Sequence, residues 1–202
     1  MVLGSALIGC EPGGPDAPRV RVAAAASLGP VLETLGPQIE RELGVGLELN
    51  LAGSGTLTRQ VIEGAPADVV LLAHPDWMDT LVAAGRVAAA DRVDLWGNTL
   101  VVVGRGGPIG LTDLADLADA RRFRRVAWGD PDSVPAGRYA EQALRAAGVW
   151  ENLQRRRVTT GDVRAALAYA QAGEVDAAIV YATDVASMEK GALKILHAVD
   201  PA

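Results

Sequence analysis

The stretch "VRVAAAASLGP", residues 20–30, decides how the chain is read. An apolar, β-compatible run stops on one serine and passes into residues that suit a helix. Small apolar side chains without alternation fit a buried strand. Ser27 stands at the strand-to-helix junction, where serine is a favoured N-cap. Either Ser27 only caps a helix, or it sits at a helix start whose unpaired N–H groups hold an anion. One junction does not choose between these readings, so recurrence has to.

Outward from this stretch, strands and helices alternate. "LGPVLETLGPQIERELG" reads as a helix in which Val31, Leu32, Leu35, Ile39 and Leu43 recur at helical spacing. Pro37 should kink it or end one of its turns. "VGLELNLAG" alternates as a half-buried strand, and "TLTRQVIEG" is a short helix closed by Gly64. "ADVVLLA" is a continuous apolar strand, expected to be covered on both faces. "PDWMDTLVAAG" is a helix with Pro75 near its start. "NTLVVVGR" and "RVAWG" are strands. "LTDLADLADAR" is a helix with Thr112 near its cap. "RYAEQALRAAG" and "VRAALAYAQAG" are helices, and "DAAIVYA" is a strand. Repeated βα units argue for an α/β fold with parallel-rich sheets.

Bulk properties narrow the function. The chain has 202 residues, is 50% hydrophobic and carries a net charge of −6, a globular and acidic composition. That balance argues against nucleic acid, which needs clustered positive charge. "RRFRR", residues 121–125, reads as a solvated loop before "VAWG". His74 reads as a surface residue, and Asp68 and Asp130 as turn or capping carboxylates. The single cysteine permits no internal disulfide.

Four junctions have this character: Ser27, "AGSGT" at 52–56, "DPDSVPAG" at 130–137 and "TTGDV" at 159–163. Each offers small or hydroxyl residues at a helix start. Ligands of α/β sheets bind at the carboxyl ends of strands, where these turns fall. A division near Gly97 and Asn98 gives two lobes contributing two turns each, so a cleft between them could close on an anion.

The motifs "S-x-T-L-x-R-Q-x-x-x-GAPAD" and "GDP-x-x-VPAG-x-YA", with "VAAAASL", "GNTLVVV", "DVRAALA" and "IVYATD", resemble the periplasmic molybdate-binding proteins of ABC transporters, in order from about residue 20 to 196. The resemblance implies an α/β, two-lobed periplasmic-binding-protein fold of type II. Its lobes close on molybdate or tungstate, which passes to a membrane permease. It implies no catalysis and no cofactor. By motif, the ligand contacts are the hydroxyls of Ser27, Ser54 and Tyr181 and the backbone N–H groups of Ala136 and Val163. No metal is held directly; it arrives as the oxyanion. The resemblance also implies serines beside Ser54, where this chain has Gly53 and Gly55. It further implies a strand and helical segment beyond "ALKILHAVDPA" that return to the first lobe.

The opening "MVLGSALIGCEPGGPDAP" resembles the lipobox of bacterial lipoproteins, with Cys10 as the lipidated residue and an acidic, Pro/Gly-rich tether after it. It lacks a positive n-region, so the true start is expected upstream of Met1. The expected organisation is a signal stub and tether over 1–19, lobe 1 over 20–97, lobe 2 over 98–183 and the start of a return segment over 184–202. The protein is expected to be an extracytoplasmic, lipid-anchored monomer whose partners are a small oxyanion and an ABC permease. Two alternatives stand beside this: a serine hydrolase using Ser54, and an oxyanion-sensing domain not linked to transport. The first lacks the G-x-S-x-G elbow, since "LAGSG" has no glycine two before the serine.

Overall fold

A computed structural model describes residues 17–105, 111–186, 188, 191 and 193–199. Cys10 and the expected lipobox lie outside the described residues.

The first sheet holds β1 (Arg19–Ala25) between β2 (Gly46–Ala52) and β3 (Val69–Leu71), both parallel to it. Its helices are α1 (Gly29–Leu43), α2 (Ser54–Ile62) and α3 (Pro75–Ala83). Ala23, Ala24, Ala25, Leu57 and Leu81 form the buried centre. The small alanines let α2 lie close on β1.

Two expectations about this lobe need correcting. The apolar period of α1 predicts the helix but not its burial, since Val31, Leu35 and Leu43 are exposed. The residues that α1 buries are Gly29 and Gly36, and it runs through Pro37 unbroken. β3 is short and half-open rather than covered on both faces, and β2 is largely exposed. Among the described residues, this lobe is a three-stranded sheet with both edge strands thinly covered.

Residues 92–99 cross without regular structure to the second sheet. Its strands are β4 (Leu100–Gly104), β5 (Val126–Gly129), β6 (Arg157–Thr160), β7 (Ala177–Tyr181) and β8 (Lys194–Ala198), in the order β6-β5-β7-β4-β8. β5 is parallel to β6 and β7, whereas β4 is antiparallel to β7 and β8. The sheet therefore takes in a strand from the segment expected to be the start of a return. The helices here are α4 (Pro135–Ala146), α5 (Trp150–Leu153), α6 (Val163–Ala172) and α7 (Ala182–Ala186). β4 and β7 are buried along their whole length, as continuous apolar runs require. Trp128 fills the centre and meets Trp150 at 5.7 Å between ring centroids. "LTDLADLADAR" forms only a 3₁₀ turn, Leu114–Ala118, capped by Asp113 and Asp116 rather than by Thr112.

No helix among the described residues is long and apolar enough to cross a membrane.

Candidate functional site

Ser27 does not cap α1. A 3₁₀ turn, Ala26–Leu28, intervenes, and the cap position falls on Leu28 without a side-chain hydrogen bond. The Ser27 side chain instead lines a small cavity where the two sheets' helix starts converge. Ala25, Gly53, Ser54, Val134, Asp162 and Val163 line it too.

Ser54 is the first residue of α2, after Gly53 at the cap position. It is fully buried. Its Oγ accepts the Ala73 N–H at 3.1 Å, which ties the start of α2 to the end of β3. A hydroxyl whose lone pair takes an N–H keeps its own proton to donate.

The second lobe supplies two more helix starts. In "DPDSVPAG", the Ser133 and Val134 N–H groups donate to the Asp130 carbonyl, and the Asp130 carboxylate accepts the Asp132 N–H at 3.1 Å. Pro135 then opens α4, so Ala136 carries a first-turn N–H without an intrahelical acceptor. Val163 opens α6 in the same way. Asp162 caps that helix by accepting the Ala165 N–H at 2.8 Å, which keeps this carboxylate on its own helix although it borders the cavity. Three helix N-termini thus face one small space, each with about half a positive charge.

Tyr181 ends β7, 4% exposed. Its hydroxyl is buried and makes no hydrogen bond among the described residues. Burial pushes its pKa up, with Tyr139 and Asp184 adding to the rise, so it remains a donor. Tyr181 lines an adjoining cavity of about 600 Å³, which Ser27 and Ala73 share with the smaller one. Of the five expected contacts, Ser27, Ser54 and Val163 border the small cavity. Ala136 follows its wall residue Pro135 in the chain, and Tyr181 borders the neighbouring space.

The two lobes meet directly at this site. The Gly55 N–H donates to the Ser133 carbonyl at 2.9 Å. Arg138 pairs with Asp76 at 2.7 Å, and its guanidinium lies 5.2 Å from the Trp77 ring centroid. His74 is not a surface residue. Its side chain is 9% exposed, its Nδ1 accepts the Asp76 N–H at 3.1 Å, and its ring lies 4.9 Å from that of Tyr139. Burial lowers its pKa. Asp68 is held by Arg21 through two side-chain hydrogen bonds of 2.9 Å, which lower its pKa to about 2.

Sequence reasoning missed Asp184, three residues after Tyr181 in "IVYATD". It is buried, its Oδ2 accepts the Tyr181 N–H at 3.2 Å, and its Oδ1 lies 3.7 Å from Arg164, the residue after Val163. It links the end of β7 to the start of α6. Desolvation pushes its pKa up to about 6, against the opposing pull of the Tyr181 N–H and Arg164. An acid with a raised folded pKa favours folding most below its unfolded value, near 3.8. That contribution is lost as pH rises through the folded value. Asp184→Asn keeps an acceptor for Tyr181 and removes the titration. Urea unfolding is expected to show the wild type losing on the order of 3 kcal/mol relative to the variant between pH 4 and 7. Parallel curves for the two proteins would contradict this origin of the dependence.

Among the described residues, no general base meets Ser54. Its Oγ meets a backbone N–H, and His74 Nδ1 is engaged by Asp76. The hydrolase alternative has no geometry to rest on.

Residues 20–202 match the bacterial extracellular solute-binding protein family. The chain is 36% identical to the molybdate-binding protein ModA of Escherichia coli (strain K12) over 173 residues, 84% of this chain and 67% of that protein. It is 34% identical to a putative ABC transporter substrate-binding lipoprotein, YvgL, of Bacillus subtilis (strain 168), over 84% of this chain and 65% of that one. The chain therefore spans about two thirds of the length of these curated relatives. The periplasmic molybdate-binding protein of Azotobacter vinelandii has the same fold at a TM-score of 0.71 and 22% identity, covering 90% of this chain and 79% of its own. With its two α/β sheets and its helix starts meeting between them, the chain belongs to the family of bacterial extracellular solute-binding proteins.

Proposed function

We propose that this protein captures molybdate or tungstate between two lobes, residues 20–97 and 98–199, and delivers it to an ABC permease. The observation that carries the reading is the convergence of three helix N-termini and Ser54 on one small cavity. Molybdate at neutral pH is a dianion whose oxygens only accept hydrogen bonds, so a set of donors suits it. Phosphate keeps a proton and calls for an acceptor. Among the described residues, the carboxylate bordering the cavity is Asp162, which caps its own helix. Tungstate is nearly the size of molybdate and fits the same donors.

Ser27, Ser54 and Tyr181 donate through hydroxyls; Ala136 and Val163 donate through backbone. Each charge-assisted hydrogen bond contributes about 1.5–3 kcal/mol. Micromolar binding needs only about 8 kcal/mol in total. Neutral donors and helix dipoles also leave no unpaired buried cation in the ligand-free protein.

Tyr181→Phe tests the site with two readouts of opposite sign. The wild-type hydroxyl is buried and has no hydrogen-bond partner among the described residues, so its removal is expected to leave the ligand-free melting temperature unchanged or raised. Molybdate affinity is expected to fall about tenfold or more in calorimetric titration. Undiminished affinity would remove Tyr181 from the site.

The protein works as a monomer outside the cytoplasm, in the periplasm or at the cell surface, tethered to the membrane by lipid on Cys10. Mass spectrometry of detergent-extracted protein reads that modification directly: an unmodified Cys10 in the mature protein would end the anchoring claim.

A further inference from the structure

Gly53 and Gly55 bracket Ser54, and neither has a positive φ. The backbone therefore does not call for glycine at these positions; the space around them does. A Cβ on Gly53 would lie 2.6 Å from the Gly161 carbonyl oxygen. A Cβ on Gly55 would lie 2.8 Å from the Ser133 carbonyl oxygen, 2.9 Å from the Ser133 Cα and 3.0 Å from the edge of the Trp77 ring. Except for Trp77, these obstacles belong to the second lobe, and they are backbone that cannot swing aside. The Gly55 N–H meets the same Ser133 carbonyl at 2.9 Å. Within the first lobe, Gly55 stands in the first turn of α2, where a residue with a Cβ is preferred to glycine.

We propose that Gly53 and Gly55 are closure determinants, the first-lobe half of a backbone-to-backbone seam that sets how far the cleft shuts on its ligand. They position the Ser54 hydroxyl against the second lobe's helix starts without touching the ligand through any side chain. The inference rests on the oxyanion-capture reading for the identity of the ligand, and on the interlobe distances for the seam itself. A side chain at Gly55 holds the lobes apart at the Ser133 turn, so the donors of α4 and α6 cannot reach a ligand resting on Ser27 and Ser54. Ligand then leaves faster, since closure is what retains it.

The test is Gly55→Ser, with Gly53→Ala as a second variant blocked by a different carbonyl. Calorimetric titration with molybdate, thermal melting and small-angle X-ray scattering are read on wild type and both variants. The ligand-free variants are expected to melt at or above the wild-type temperature. Their molybdate dissociation constants are expected to rise at least tenfold, and the contraction in radius of gyration on adding molybdate to be reduced or lost. Variants that bind within threefold of wild type and contract as fully would overturn the seam. Variants that melt well below wild type without ligand would also overturn it, by making the glycines part of the first lobe's own packing. If wild type itself binds no molybdate, the functional reading fails separately. Scattering without ligand then judges the seam: a larger radius of gyration in the variants sustains it, and equal radii overturn it.

Discussion

Gly137→Ala is expected to destabilise the second lobe by about 3 kcal/mol or more, a fall in melting temperature of roughly 6–12 °C. A Cβ at this position would lie 1.9 Å from the Gly129 carbonyl oxygen and 2.5 Å from its carbon. The first turn of α4 rests on the end of β5 through backbone alone. Gly129 is the matching half of that contact, because a Cβ there would lie 2.3 Å from Val134 Cγ1. The atoms that a Cβ on Gly137 would meet are backbone and cannot turn aside, so the helix must lift from the strand. Ala136, the proposed backbone donor in that turn, moves with it. Both stability and molybdate binding are therefore expected to fall together, unlike the opposite signs expected at Gly55. An unchanged urea midpoint in Gly137→Ala would contradict the packing described for this turn.

Ser54→Ala is expected to weaken molybdate binding about ten- to hundredfold, the effect of losing one charge-assisted hydrogen bond of about 1.5–3 kcal/mol. It should also lower ligand-free stability by about 1–3 kcal/mol, because the Ala73 N–H loses its acceptor. Ser54→Thr retains the hydroxyl but adds a methyl where Ser54 is already fully buried, and so is not a clean rescue. Ser54→Cys keeps the shape with a weaker donor and is expected to fall between wild type and alanine. Calorimetry and urea unfolding on the alanine and cysteine variants check both effects. Full affinity in the alanine variant would place the ligand elsewhere.

The parts legible in the sequence were those whose signal is local. The runs "LVVV" and "AAIVY" have no alternation, and they lie buried along β4 and β7. Pro75 marks the first position of α3, whereas α4 starts at Pro135, three residues before the helix read from "RYAEQALRAAG". Gly64 has a φ of +99°, as expected where α2 gives way to a turn. What was not legible depends on partners distant in the chain. The period of Val31, Leu35 and Leu43 shows a helix, but burial depends on what lies over it, and these side chains are exposed. Ser27 has the composition of a cap, but one extra 3₁₀ turn moves the cap to Leu28. His74 looked like a surface histidine because its ring partner, Tyr139, comes from the other lobe. Asp184 carries no local signal, because what marks it is Arg164 and the Tyr181 N–H beside it. The need for glycine on both sides of Ser54 is visible only across the closed cleft.

Calorimetric titration of the wild-type chain from Glu11 onward with molybdate, tungstate, sulfate and phosphate tests the central claim most directly. One site is expected, binding molybdate and tungstate at micromolar concentration or tighter, sulfate more weakly and phosphate not at all. At about 100 times the dissociation constant, molybdate should stabilise the folded protein by about 2.7 kcal/mol. A folded protein that gives no heat and no stabilisation with molybdate or tungstate, or that prefers phosphate, would contradict a site built from donors alone.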